Sequence, residues 1–233
     1  MTRRYRCLSI AIPFLLGATA HADVIGEWTA SQINDPCHQG EPGFWGQDFA
    51  ITVKASGSWL SGSWTSEDPR KSYGGPLMGR ALTATTAVFR YCDYSGNPEA
   101  DHEACRVGER QPEIFYYATR RNDRLDVYQS IESSPDPRWV TFRSVAELVL
   151  PAEAARAKLA HERWQKRLEA PSGDDDSEEI SGTCPVKTPP APTVGRWPEQ
   201  NPNAAWAQDL RFERTQVDKW LAGVPYPHPT LRN

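Results

Sequence analysis

Phe49-Ala50-Ile51-Thr52-Val53-Lys54-Ala55-Ser56-Gly57-Ser58-Trp59-Leu60-Ser61-Gly62-Ser63-Trp64 is the stretch that decides the fold. Phe49, Ile51, Val53 and Ala55 recur with the period of a strand. Ala55-Ser56-Gly57-Ser58 supplies a hairpin turn, and the return run carries Leu60, Gly62 and Trp64 on one side with Trp59 on the other. The same alternation extends in both directions. Upstream, Val24, Gly26, Trp28 and Ala30 share a face. Downstream come a long run from Arg80 to Tyr91, then Ile114–Thr119 and Leu125–Ile131 around the turn Arg121-Asn122-Asp123-Arg124, and finally Trp139–Phe142. Short strands with hairpin-length links predict a mainly β fold, an antiparallel barrel or sandwich, over residues 23–145. The 20 prolines and 16 glycines among 233 residues agree with turns rather than long helices.

The C-terminal part changes character. Pro151 suits a first helical turn, and residues 146–170 predict a helix with Glu162 and Lys166 one turn apart and an apolar stripe of Ala160, Trp164 and Leu168. On that helix His161 is expected to face solvent. Residues 171–202 are acidic, then proline-studded, and read as a flexible linker. Residues 203–233 predict a final helix and tail docking on the β domain. Asn203 is the N-cap, Gly223 the stop, and Trp206, Leu210, Val217, Trp220 and Leu221 form one apolar face from which Phe212 points away.

Gly26-Glu27-Trp28, followed by the Phe49–Ala55 hairpin and Leu60-Ser61-Gly62-Ser63-Trp64, resembles the opening of calycin-type barrels, the lipocalins and avidins. The resemblance covers about the first third of the mature chain and implies a barrel in which Trp28 plugs one end. It implies nothing about ligand identity.

Residues 1–22 combine three arginines, a short apolar run interrupted by Pro13, and the ending Ala20-His21-Ala22, the pattern of a secretory signal peptide. The expectation is a periplasmic or secreted protein without membrane insertion. Loss of that segment removes three arginines and no acid, moving the formal net charge from −4 to −7. Such a balance excludes nucleic-acid binding through bulk positive charge and favours basic partners. Export leaves Cys37, Cys92, Cys105 and Cys184. In an oxidising compartment they read as two disulfides with three possible pairings, of which Cys92–Cys105 with Cys37–Cys184 is the most economical. Each is expected to add about 2–4 kcal/mol.

Chemistry is sparse. The loop between Cys92 and Cys105 gathers Asp93, Tyr94, Glu99, Asp101, His102 and Glu103, but a calcium-loop reading fails because Pro98 stands where glycine is needed and Ala104 where glutamate is needed. There is no nucleophile elbow, no zinc-protease motif and no phosphate loop. The expectation is therefore no catalytic residue, no metal and no cofactor. Binding residues are expected at Tyr94, Asp101, His102, Glu103, Trp45 and Trp59, and the partner is expected to be another exported or envelope protein. The leading reading is a non-enzymatic inhibitor or toxin-immunity protein. One alternative is a barrel holding a small ligand or glycan, disfavoured if Trp28, Phe49 and Leu60 fill the lumen. Another is a hydrolase using His102 with its neighbouring carboxylates.

Overall fold

The computed structural model describes residues 23–32, 47–67, 72–91, 114–131, 136–169 and 194–227. Eight strands run as an antiparallel meander: β1 (Gly26–Gln32), β2 (Gln47–Ser56), β3 (Trp59–Glu67), β4 (Ser72–Ala81), β5 (Thr86–Tyr91), β6 (Ile114–Arg121), β7 (Arg124–Ser130) and β8 (Trp139–Val149). β1 also meets β8, at Thr29 and Val149, which closes the sheet into a barrel. The predicted barrel alternative is thus the one observed. A ninth strand, β9 (Leu210–Glu213), lies outside the barrel on β8, and the helices α1 (Pro151–Glu169) and α2 (Arg214–Leu221) are both C-terminal to β8.

The deciding hairpin forms as read. Ser56 pairs with Trp59 across a two-residue turn, and Gly57 takes a φ of +61°, which the absence of a Cβ makes inexpensive. Asn122 does the same at φ +58° between β6 and β7, asparagine being one of the few side-chain-bearing residues that tolerate this region. Period-two alternation then sends Trp28, Phe49, Ile51, Val53, Leu60 and Trp64 inward, where they join Leu77, Phe89, Tyr116, Leu125 and Leu148 in one continuous core.

Two strand readings need correction. The run from Arg80 to Tyr91 is not one strand, because the chain reverses at residues 82–85 between β4 and β5. That turn contains no glycine, proline or asparagine. Instead the Leu82 N–H donates to the Thr86 carbonyl at 2.8 Å and the Thr85 N–H to the Thr83 hydroxyl at 3.2 Å. β4 itself escapes the alternation test because Gly74, Gly75 and Gly79 interrupt it. Gly75 and Gly79 give room to rings of β5, and Gly74 to the β3 backbone at the Trp64 carbonyl. A Cβ on Gly75 would lie 2.4 Å from the Tyr91 ring, and one on Gly79 2.3 Å from the Val88 carbonyl and 2.4 Å from the Phe89 ring. Pro76 is tolerated because β5 begins to pair only at Leu77, so its missing N–H falls outside that ladder. Gly79→Ala is expected to destabilise the chain by about 2 kcal/mol through this overlap, measured as a lower urea midpoint at unchanged slope.

β8 also continues past Val145, where a helix was expected, and ends at Val149. The register slips there: Val127 pairs with Ala146 but Tyr128 with Ser144, so Val145 is an extra residue that breaks the alternation. Pro151 then opens α1 as predicted. The covered face of α1 is Ala154, Ala157, His161 and Trp164; Ala160 is exposed. His161 is half-buried and stacks on Trp164 with ring centroids 5.5 Å apart, contrary to the solvent-facing expectation.

The largest departure is at the C-terminus. Residues 203–213 are not helical: a single turn at Ala205–Ala207 leads into β9, and α2 starts only at Arg214. The β8 edge is the reason. On the side away from β7 its first four residues would otherwise lack a neighbour, and β9 pairs with them from Phe142–Leu210 to Trp139–Glu213. Sheet alternation then puts Leu210 and Phe212 on one face, so Phe212 turns inward, with ring centroids 5.2 Å from Tyr117 and 5.0 Å from Trp220. The stop at Gly223 is as predicted, with φ +74°.

Together β9 and α2 cover a second core on the outside of the barrel. Met78, Val88, Phe115, Tyr128, Val140 and Phe142 project outward and meet Val217, Leu221 and Val224. Two arginines of the wall finish α2. Arg80 Nη2 donates to the Ala222 carbonyl at 2.9 Å, and Arg90 donates to the carbonyls of Val224 at 3.2 Å and Leu221 at 3.3 Å. These cations satisfy carbonyls that a helix end leaves open and oppose its negative pole.

Candidate binding rim and barrel seam

The two ends of the barrel differ. At one end the links are tight: Gly57-Ser58, residues 82–85 and Asn122-Asp123. Trp28 closes this end, as the calycin resemblance implies for it. Its indole N–H donates to the Val24 carbonyl at 3.0 Å, and the Arg120 guanidinium lies 5.5 Å from its ring centroid while donating to the Asp23 carbonyl at 2.9 Å. At the other end are the links 33–46, 68–71, 92–113 and 132–135, anchored at Gln32 and Gln47, Glu67 and Ser72, Tyr91 and Ile114, and Ile131 and Asp136.

The links that carry most of the sequence-predicted site are anchored at this same end. Trp45 lies in the link that ends at Gln47, and Tyr94, Asp101, His102 and Glu103 lie in the link between Tyr91 and Ile114. These five residues, and Cys37, Cys92, Cys105 and Cys184, lie outside the described residues. Trp59 does not belong with them. It sits beside the Gly57-Ser58 turn at the opposite end and faces the outer wall, half-buried, with the Arg80 guanidinium 4.8 Å from its ring centroid. Local alternation sets Trp59 opposite a core face, as if free for contacts, whereas a second core covers that wall.

Beneath the rim the lumen is occupied by the protein's own side chains. Trp64 packs edge-on to Tyr91 with centroids 5.1 Å apart, tilts against Tyr116 at 5.5 Å and stacks on Phe49 at 6.0 Å. Trp28, Phe49 and Leu60 are all buried in the same core, the condition that disfavours an interior ligand.

A second constellation lies on the outer face where β1 and β8 part. Val194-Gly195-Arg196 wedges between them. Val194 exchanges both backbone hydrogen bonds with Ser31 of β1, each at 2.9 Å, and Arg196 exchanges both with Glu147 of β8, at 2.9 and 3.0 Å. Gly195, at φ +73°, is required: a Cβ would stand 2.6 Å from the Glu147 carbonyl and 2.8 Å from the Ala30 Cβ. Residues 194–202, expected as linker, are therefore part of the barrel closure. The side chains repeat the closure. Arg196 forks onto Glu147, with Nε–Oε1 and Nη2–Oε2 both at 2.5 Å. Arg121 reaches Asp126 at 2.5 and 2.9 Å and the same Glu147 at 3.1 Å. Both carboxylates are buried, at 1% and 0% residue exposure, while the two guanidiniums are half in water. Burial raises the Asp126 carboxyl above the usual carboxylate range, the Arg121 hydrogen bond and charge offset part of that rise, and the Glu147 charge adds to it. Burial likewise pushes the adjacent Tyr128 phenol upward.

Sequence reading passed over Asp126 and Glu147. The available signal was a lone acid inside an apolar run, in Leu125-Asp126-Val127-Tyr128 and Ala146-Glu147-Leu148-Val149, which demands a buried cationic partner. The paired charges balance, and every carboxylate oxygen is hydrogen-bonded, so this cluster holds the seam. It offers no free acid or base.

No family model, curated protein or solved structure matches the chain. Among the described residues no helix is long and apolar enough to cross a membrane.

Proposed function

We propose that the protein is an exported, non-enzymatic binding protein that holds another exported or envelope protein at its loop rim, acting as an inhibitor or immunity protein. The observation that carries this reading is the filled lumen of a barrel whose long links are anchored at one end. A barrel packed with its own aromatic rings leaves recognition to its surface. The link 92–113 leaves β5 directly at Cys92, so a Cys92–Cys105 bridge would fix the acidic loop at its root. A loop ordered in advance loses less entropy on association. The acids Asp101 and Glu103 suit a basic partner, whose approach they accelerate by long-range attraction. Trp45, in the link anchored at Gln47 at the same end, is the proposed aromatic anchor, whereas Trp59 has no part in it.

The test is quantitative co-purification from envelope and secreted fractions with wild-type and Asp101→Lys/Glu103→Lys bait. The wild-type chain is expected to enrich a basic protein that the reversed chain captures at least about tenfold less, chiefly through slower association. Equal capture by both baits removes the loop from the interface, and substrate turnover by the purified chain overturns the non-enzymatic reading.

A further inference from the structure

We propose that the β8 edge and the outer wall form a receptor for a strand-then-helix segment, occupied in the resting molecule by the chain's own residues 194–227 and open to the same segment of a second copy. The receptor is defined by what the barrel lacks without that segment. Among the described residues β8 shares one pair with β1, at Val149, so from Trp139 to Glu147 its outer edge has neighbours only in residues 194–213. Beside that edge lies the apolar wall of Met78, Val88, Phe115, Val140 and Phe142. A bare strand edge next to an apolar surface is a template for strand addition and for an amphipathic helix.

The segment has the properties of an exchangeable ligand. β9 has four residues and α2 eight, too short to hold their shape in water alone, so their order comes from docking. Residues 170–193 connect it to α1, and a chain of that length reaches about 80 Å when extended, so its departure pulls no strand from the barrel. Recognition is specific at both ends. Gly195 and the Arg196 fork read the seam, and Arg80 and Arg90 read the carbonyls that end α2. Tethering supplies an effective concentration of about 1 mM, so a dilute chain closes on itself and reciprocal exchange between two copies is a high-concentration event.

The experiment titrates a fluorescent synthetic peptide of residues 194–227 into the full-length chain and into the full-length Arg196→Glu variant, followed by anisotropy. The variant places like charges at Glu147 and weakens its own segment. It is expected to take up the peptide at least about tenfold more tightly than wild type, and a peptide carrying Gly195→Ala is expected to be refused by both. If the variant does not fold, wild type alone decides, with saturable uptake expected by about 1 mM peptide. No saturable uptake by the folded chains, a variant no tighter than wild type, or undiminished binding of the Gly195→Ala peptide overturns the proposal.

Discussion

Arg121→Ala lowers stability by about 2–3 kcal/mol at pH 7, and the loss shrinks on acidification to about pH 4. The change leaves Asp126 at 1% exposure without its forked hydrogen bonds and without the cation that pairs with it, and removes one of the three hydrogen bonds that Glu147 accepts from side chains. Breaking a buried pair typically costs more, but half of the Arg121 side chain is already in water, which reduces what is lost. The pH dependence follows from sign. Asp126 has a folded-state pKa above its ordinary value, so the folded chain binds that proton more tightly than the unfolded chain does. Stability linked to this group therefore rises as pH falls through the raised folded value. Without Arg121 the pKa rises further, because its hydrogen bond and charge hold the carboxyl down more than the Arg196 charge does. Urea denaturation of variant and wild type at the two pH values measures this, and a deficit that grows in acid contradicts the assignment.

Phe142→Ala has the largest expected effect on the outer core, about 3–5 kcal/mol. Phe142 is fully buried, and its ring centroid lies 6.0 Å from Tyr117 and 5.8 Å from Phe212. Its removal opens a cavity between the wall and β9, and the strand pairing at Leu210–Phe142 loses its packing. The account predicts a local response: amide protection of residues 210–224 falls first, while β2, β3 and β6, whose inward faces belong to the other core, keep theirs. Uniform loss of protection across the chain would show that the two cores unfold as one unit.

The legible parts of the fold were those in which local chemistry and tertiary structure agree. Phe49–Trp64 alternates, turns at a glycine and buries the face the alternation selects. β4 was illegible because three of its residues are glycines, two of them set against the rings of Tyr91 and Phe89 and one against the Trp64 carbonyl, and glycine carries no hydropathy signal. Residues 203–213 misled for a different reason. Trp206, Leu210, Val217 and Leu221 do fall at helical spacing, but an unpaired β8 edge outweighs a weak helical preference: Leu210 joins β9, Trp206 is buried in the turn before it, and only Val217 and Leu221 stay on a helix. Of the site, the acidic loop and Trp45 could be read as unusual, and the topology sets their links on a common rim. Trp59 could not be placed, since its covering partner is more than a hundred and fifty residues away in sequence, at Gly223. Half of the Arg121–Asp126–Glu147–Arg196 cluster was hidden for the same reason: Asp126 has its partner five residues away in the β6–β7 hairpin, whereas the fork on Glu147 comes from Arg196, 49 residues on.

The claim on which the functional reading rests is that Trp28, Phe49, Leu60, Trp64 and Tyr116 leave no interior space to fill. Titration of the native chain with a small apolar fluorescent probe, read through tryptophan quenching, tests it most directly. The account predicts no saturable uptake until denaturant loosens the core; saturable one-to-one binding to the native chain would contradict it.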